Sequence, residues 1–292
     1  MVKTISDLYL QTRRAFMAQE DDRTASLLAR NLICHVTGKT HEQIIADREM
    51  YVSEGACTEL ESLVQRVLAG EPLAYVLGQW EFHGLNLTVN PNVLIPRDDT
   101  CAVTDLAIHQ ALLLKDNPRI LDLCTGSGCI GLAIAKKIPD AKVTLADISR
   151  QALDVAKKNV VAHKLTGRVA CVQTNALEKP NAFLGKFDMI VSNPPYVTTR
   201  EMLQLPDSVA RYEPRLALHG GADGLDFYRA ITENFSAALK PGGYLCFEFG
   251  MGQGDAVCEL LETNGYTILE RSRDYNDRER AVLAQLERKE EV

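Results

Sequence analysis

Asn193-Pro194-Pro195-Tyr196 directly follows the apolar run Phe187-Asp188-Met189-Ile190-Val191-Ser192. The run reads as a buried strand of a parallel sheet, and two consecutive prolines, which have no amide to give a ladder, end it abruptly. The turn therefore sits at a strand's carboxyl end, the edge where open α/β sheets bind ligands. Its groups suit the holding of a planar NH2 group. The Asn193 side-chain oxygen and the Pro194 carbonyl can each accept from one N–H, while the Tyr196 ring lies against the face of the amide or amidine. Read blandly, the same residues are a turn after a strand, since Asn and Pro are common turn formers.

A second stretch, Leu121-Asp122-Leu123-Cys124-Thr125-Gly126-Ser127-Gly128-Cys129-Ile130-Gly131, runs from strand to helix through a glycine-bearing bend. Gly126 and Gly128 let the backbone pass close to a ligand, and Asp147, ending the next strand, is placed to accept from the two ribose hydroxyls of an adenosine. Gly126, Gly128 and Gly131 also spell Gly-x-Gly-x-x-Gly, so on this loop alone a nicotinamide dehydrogenase is an equal reading. Three features tilt away from it. Asp122 sits where an acid can face the ammonium of an amino-acid tail and would repel a pyrophosphate. The sheet continues to a late antiparallel edge. The Asn193 turn, beside the loop of the first strand, suits transfer to a planar nitrogen and offers nothing to a hydride acceptor. Together these features favour S-adenosylmethionine.

The elements that must position both turns follow from the periodicity. Strands are expected at 119–123, 142–147, 168–174, 187–192, 243–249, 266–271 and 281–286, with helices at 100–115, 130–138, 149–163, 225–239 and 254–263. The fold class is α/β, a seven-stranded doubly wound sheet whose last two strands form an edge hairpin. Residues from about 5 to 69 place apolar side chains at helical spacing (Leu8, Phe16; Leu27, Leu28; Ile44, Ile45; Leu60, Leu63), with Thr24 or Asp22 and then Thr40 as caps and Gly38, Gly55 and Gly70 as breaks. The expected organisation is a small helical bundle over 1–76, a hairpin linker over 77–98 turning at Asn90-Pro91-Asn92, and a catalytic domain over 99–292. Arg97, fixed after a proline, either reaches the active site or forms a surface salt bridge. The glycine-rich stretch 198–224 is expected to close over a substrate loop.

Composition narrows the function. A formal net charge of -7 and a pI near 5.5 weigh against a protein that coats nucleic acid. No basic start leads into an apolar core, and no apolar stretch approaches ~20 residues, so neither signal peptide nor membrane span is expected and the chain reads as cytoplasmic. The eight cysteines are scattered, none as Cys-x-x-Cys, and read as reduced and structural. His41-Glu42-Gln43-Ile44-Ile45 lacks the second histidine of a zinc-protease helix, and no metal is expected. A short charged run, 287–291, ends the pattern.

Gly-Glu-Pro-Leu-Ala-Tyr (70–75), Glu-Phe-His-Gly-Leu (81–85), Val-Leu-Ile-Pro-Arg (93–97), Leu-Asp-Leu-Cys-Thr-Gly-Ser-Gly (121–128), Val-Ser-Asn-Pro-Pro-Tyr (191–196), Glu-Pro-Arg-Leu-Ala-Leu (213–218) and Asp-Gly-Leu-Asp-Phe-Tyr (223–228) carry a resemblance almost end to end. By them the chain resembles the class I methyltransferases and, within these, the release factor glutamine methyltransferases. Asn-Pro-Pro-Tyr alone is shared with adenine-N6 methyltransferases, so the earlier motifs make the resemblance specific. It implies a Rossmann-like methyltransferase sheet and S-adenosylmethionine-dependent transfer to the glutamine N5 of the Gly-Gly-Gln loop in class I peptide chain release factors, modulating translation termination. A monomer with no nucleic-acid substrate is expected, its amino-terminal bundle docking the factor.

The site expected on both grounds has Asn193, Pro194 and Tyr196 as catalytic residues, with Pro195 and Arg97 also meeting substrate. Asp122, Cys124, Thr125, Gly126, Ser127, Gly128, Asp147, Asn175, Ala176 and Asn193 are expected to bind the cofactor. The chain departs from the family pattern at Asp98 (usually proline), Cys101 (usually an acid), Asn175 (often an acid, here able to bond the adenine amino group only as an amide) and Ala176 (often larger). The rival readings are an adenine-N6 methyltransferase acting on DNA or RNA, which would bind with a steep salt dependence, and a non-catalytic S-adenosylmethionine-binding module, against which Asn193 and Tyr196 speak.

Overall fold

The computed structural model describes residues 3–114 and 116–287; the last residue of the helix expected over 100–115 and the charged tail past Glu287 lie outside them. The chain divides into two compact units, one holding the chain up to Gly78 with Asp207–Tyr212, the other Gln79–Pro206 and the chain from Glu213 onward.

The first unit is helical: α1 (Ile5–Phe16), α2 (Asp22–Thr37), α3 (His41–Ala46), α4 (Glu54–Leu68) and α5 (Leu73–Leu77). Each of the first four starts where a side-chain oxygen takes an orphan amide, from Thr4, Asp21, Thr40 and Ser53 respectively. The α2 cap is thus Asp21; Asp22 and Thr24 lie inside the helix, and Gly55 lies inside α4 rather than at a break. Leu8, Phe16, Leu32, Ile33, Ile44, Leu60 and Leu63 form one core. Leu27 and Ile45, expected to face inward, are 48% and 66% exposed. Successive helical residues point about 100° apart, so in each pair the neighbour takes the inward place.

The second unit opens with a hairpin, β1 (Gln79–Phe82) against β2 (Leu85–Thr88), paired from Gln79↔Thr88 to Phe82↔Leu85. His83 and Gly84 between them have φ of 53° and 76°, the two positive values of a tight hairpin turn whose twist matches its strands. The hairpin expected at Asn90-Pro91-Asn92 is therefore corrected. Asn90 makes a local turn, its Oδ1 accepting from Asn92 N at 3.0 Å, and 93–97 is not a strand.

The sheet contains β3 (Arg119–Leu123), β4 (Lys142–Asp147), β5 (Val169–Gln173), β6 (Phe187–Ser192), β7 (Leu239–Glu248), β8 (Tyr266–Arg273) and β9 (Glu279–Leu286). Helices α6 (Cys101–Leu112), α7 (Cys129–Lys137), α8 (Arg150–Ala162), α10 (Asp226–Asn234) and α11 (Gly254–Thr263) alternate with the strands; α9 (Asp207–Tyr212) falls to the helical unit. The order is β5-β4-β3-β6-β7-β9-β8, parallel except for β9, which runs antiparallel to both neighbours. Apolar side chains cover both faces. The helix expected over 225–239 ends at Asn234, and Leu239 already belongs to β7. None of the helices among the described residues is long and apolar enough to cross a membrane.

Strand order reverses between β3 and β6, the switch point at which such sheets bind ligands. Leu123 pairs with Ser192, and Ser192 Oγ donates to Leu123 O at 2.6 Å. The two chemically interesting turns thus start side by side. The approach of α7 to β4 depends on Gly131, where a Cβ would stand 2.3 Å from Leu145 Cδ2 and 2.9 Å from Asp122 Oδ2. The third glycine of the Gly-x-Gly-x-x-Gly pattern serves packing. Gly131→Ala should cost about 2–3 kcal/mol in urea unfolding; a loss under about 0.5 kcal/mol would contradict the close approach.

Candidate functional site

At the switch point a cavity opens with about 1070 Å³ of space including its mouth, the scale of a nucleotide-sized ligand site. One wall is the loop from β3 to α7. Cys124, Gly126 and Gly128 adopt φ of 62°, 54° and 86°, and for Cys124 the left-handed backbone costs about 1–2 kcal/mol. Thr125 N donates to Ala146 O at 3.0 Å and Gly128 N to Thr125 O at 2.8 Å, closing the bend. Cys124, Thr125, Gly126 and Ser127 line the cavity, whereas Gly128 caps α7 behind them. Burial raises the Cys124 thiol pKa, keeping it neutral.

Asp147 lines the cavity too, its Oδ2 accepting from Gly126 N and its Oδ1 from Ser149 N, both at 2.9 Å. Burial raises its pKa against the pull of these amides. Each carboxylate oxygen keeps a further lone pair, so a pair of ligand hydroxyls can still be bound. Asn175 and Ala176 complete this side. The Asn175 amide first serves its own turn, Oδ1 accepting from Leu177 N at 3.0 Å and Nδ2 donating to Glu178 Oε1 at 2.8 Å. One Oδ1 lone pair remains for an adenine amino group.

Asp122 is placed differently from expectation. It is 1% exposed and does not line the cavity; its Oδ2 accepts from Thr125 Oγ1 at 2.6 Å and Gly131 N at 2.9 Å, while Oδ1 has no partner. Burial pushes its carboxyl up to about 7, against those two donors. The expected contact with a ligand ammonium is corrected: Asp122 braces the loop from inside the sheet.

The other wall is the turn after β6. Asn193 and Pro195 line the cavity; Pro194 is buried and does not. Asn193 Nδ2 donates to Thr100 Oγ1 at 3.2 Å, which leaves Oδ1 as the free acceptor. Tyr196 does not line the cavity. Its carbonyl accepts from Gln253 Nε2 at 3.1 Å, its hydroxyl lies 3.5 Å from Glu248 Oε1, and its ring packs on a sheet-face core. The expected stacking of this ring on a substrate amide is corrected: Tyr196 anchors the turn. Arg97 lines the cavity and also pairs with Glu213, whose carboxylate is almost wholly buried and accepts from Ile95 N at 3.2 Å. The Ile-Pro-Arg and Glu-Pro-Arg segments, distant in sequence, thereby meet.

The stretch 198–224 is stitched at both ends. Val197 N donates to Leu218 O, Gly220 N to Val197 O and Thr199 N to Gly221 O, all at 2.9 Å. A Cβ at Gly220 would lie 2.5 Å from Pro195 O, and one at Gly224 2.3 Å from Tyr196 O. These glycines seat the returning chain against the Asn193 turn, and Leu216 and Ala217 line the cavity.

Sequence reasoning missed several residues that hold the site. Asn159, wholly buried on α8, accepts from Thr88 N at 2.7 Å and donates to Thr88 O at 3.0 Å and Ser127 O at 2.9 Å. Its signal was a lone amide on the apolar Val155, Ala156, Val160 face. Thr100, Glu248 and Gln253 gave none, and Glu213 stood out only as the first residue of the 213–218 motif, because the partners that tie these side chains to the site are far away in sequence.

Family models match this chain at residues 9–78 (PrmC N-terminal domain) and 104–209 (methyltransferase small domain). It is 38% identical over 253 residues to the release factor glutamine methyltransferase of Clostridium acetobutylicum, covering 87% of this chain and 88% of that protein. It is 37% identical to the bifunctional methyltransferase of Rickettsia typhi over 83% of this chain, spanning 50% of that longer protein. The hMettl16 catalytic domain, solved in complex with the MAT2A 3'UTR hairpin 6, shares its fold, with a TM-score of 0.56 at 14% identity over 83% of this chain and 86% of that one. On the first of these relationships, the chain belongs to the release factor glutamine methyltransferase family.

Proposed function

We propose that the protein transfers a methyl group from S-adenosylmethionine to the side-chain nitrogen (N5) of the glutamine in the Gly-Gly-Gln motif of class I peptide chain release factors. The observation that carries this reading is Asn193, whose NH2 is turned onto Thr100 and whose oxygen is left for a substrate amide, next to the glycine loop and Asp147. The residues present fit the cofactor: the loop backbone from Cys124 to Ser127, the two lone pairs left on Asp147 and the wall made by Asn175 and Ala176 would hold it. When bound, it supplies an electrophilic methyl on a sulfonium.

The amide nitrogen is a poor nucleophile because its lone pair is delocalised into the carbonyl, so the protein's task is geometric. Asn193 Oδ1 accepts from one substrate N–H, and Pro195 and Arg97, which also line the cavity, border the substrate side. Orientation of this kind supplies up to about 7–11 kcal/mol. The Asn193 acceptor also stabilises the positive charge that develops on nitrogen. A methylated amide nitrogen is acidic enough to lose its proton to water, so no side chain is assigned as a base. The helical unit docks the release factor, and the protein works as a cytoplasmic monomer on a protein rather than on a nucleic acid.

The test is incubation with methyl-labelled S-adenosylmethionine and a release factor, its Gln→Ala loop variant, or DNA and RNA. Label on the wild-type factor alone is expected; label on nucleic acid alone would replace this reading with the adenine-N6 one.

A further inference from the structure

Glu248 ends β7, is 1% exposed and has one carboxylate oxygen, Oε2, with no hydrogen-bond partner. It stands behind the Asn193 turn. The Thr100 hydroxyl and the Asn193 amide both lie against its carboxyl, Asn193 Nδ2 donates to Thr100 Oγ1 at 3.2 Å, and the Tyr196 hydroxyl is 3.5 Å from Oε1. Its own main-chain oxygen is fixed by Tyr228 Oη at 2.9 Å. A buried carboxyl without an ion-pair partner in contact, set against the one amide that defines the substrate side, is an expensive feature unless it has a task.

We propose that Glu248 is a positioning residue for the reaction: its ionised carboxylate accepts from the Thr100 hydroxyl and the Asn193 NH2, so that Asn193 presents its oxygen to the substrate amide. The inference rests on the amide-methylating reading above. An ionised carboxyl is acceptor-only, so every donor near it turns inward. Once protonated it becomes a donor to Thr100 Oγ1; the Thr100 proton then turns toward Asn193, whose amide must flip and show its NH2 to the cavity. Two NH2 groups facing each other cannot pair, and the substrate nitrogen loses its hold.

The groups facing Glu248 set where this switch falls. Burial pushes its carboxyl up to about 7, while the Thr100 hydroxyl, the Arg280 guanidinium and the Asn193 amide pull it down and Asp99 pushes it up. Arg280 divides its charge between Asp99 and Asp274. Cys129 on α7, Tyr196 and Tyr228 also sense the Glu248 charge, and burial keeps all of these neutral across the working range.

The test is the pH profile of the single-turnover methylation rate on a release factor at saturating S-adenosylmethionine, with cofactor affinity measured in parallel. The wild-type rate should fall about tenfold between about pH 8 and pH 6, as for one required ionised group, at unchanged cofactor affinity. Glu248→Gln should be slower than the wild-type plateau and flat over the same range. Thr100→Val, which removes the hydroxyl and keeps the shape, should behave likewise, and Thr100→Ser should restore rate and slope, so the Thr100 pair carries the test if Glu248→Gln does not fold. A flat wild-type profile, or a slope that survives in Glu248→Gln or Thr100→Val, would overturn the inference. Absence of any label on the factor at every pH would instead overturn the functional reading on which it stands.

Discussion

Asn193→Ala should lower the methylation rate at least ~10²–10³-fold, the loss of about 3–4 kcal/mol of transition-state stabilisation typical of removing one preorganised polar group. S-adenosylmethionine affinity should fall only modestly, because the β3–α7 loop and Asp147, the groups proposed to hold the cofactor, form a separate wall of the cavity. The asymmetry follows from geometry. Asn193 is joined to the rest of the site through Thr100, so truncating it removes the acceptor and leaves the glycine loop's own bonds in place. Turnover and calorimetric cofactor titration on the same preparation check both halves. An unchanged turnover would sink the clamp, and a loss of cofactor affinity as large as the loss of rate would assign Asn193 to binding.

The second large effect is expected at Asn159→Leu. The substitution keeps the volume but leaves Thr88 N, Thr88 O and Ser127 O without the partners they have at 2.7, 3.0 and 2.9 Å. Each buried unpaired group costs about 1–3 kcal/mol, and with partial relaxation the total should be about 3–5 kcal/mol in urea unfolding. Because Ser127 lines the cavity on the wall proposed to hold the cofactor, the apparent S-adenosylmethionine affinity should drop at least about tenfold, a coupling of about 1.4 kcal/mol. Asn159→Asp separates the two roles. It retains an acceptor for Thr88 N but sets a carboxylate against two carbonyls. Stability loss with unchanged cofactor affinity in both variants would confine Asn159 to tying down the β2 end of the hairpin.

Much of this architecture was legible in the residues. The alternation of apolar runs and amphipathic stretches located the strands of the sheet, and the double proline fixed where β6 stops. The Gly126-Ser127-Gly128 bend and its hydrogen bond to Asp147 were readable because such a strand-to-helix turn needs particular residue types at a fixed distance along the chain. The hairpin was misplaced because Asn90-Pro91-Asn92 has the more familiar turn composition, whereas His83-Gly84 declares itself only by two positive φ values. Asp122 and Tyr196 were assigned to ligand because their types suit it. In the fold, Asp122 is taken up by Thr125 and Gly131, and Tyr196 by Gln253 and Glu248.

The residues that escaped notice share one property: their partners arrive from distant segments. Glu213 meets Ile95 and Arg97, Asn159 meets Thr88, and Glu248 meets Thr100 and Asn193 only once the sheet has formed. Periodicity reports which face of an element is buried, and it is silent on which buried polar group will find which partner. The glycines of 198–224 show the same limit. Their frequency suggests a cover that closes over a substrate loop, whereas at Gly220 and Gly224 the contacts show backbone packed too closely against Pro195 and Tyr196 for any side chain.

The methyl group is expected on a side-chain amide nitrogen, and the product's chemistry shows most directly whether it is there. A release factor labelled by the enzyme from methyl-labelled S-adenosylmethionine is digested, the labelled peptide sequenced, and that peptide hydrolysed in strong acid. An N5-methylated glutamine releases its label from the Gly-Gly-Gln peptide as methylammonium, which becomes volatile methylamine once the hydrolysate is made alkaline, and that is the result expected here. Label that stays on a non-volatile amino acid, leaves as methanol from a methyl ester, or maps to another peptide would contradict the account.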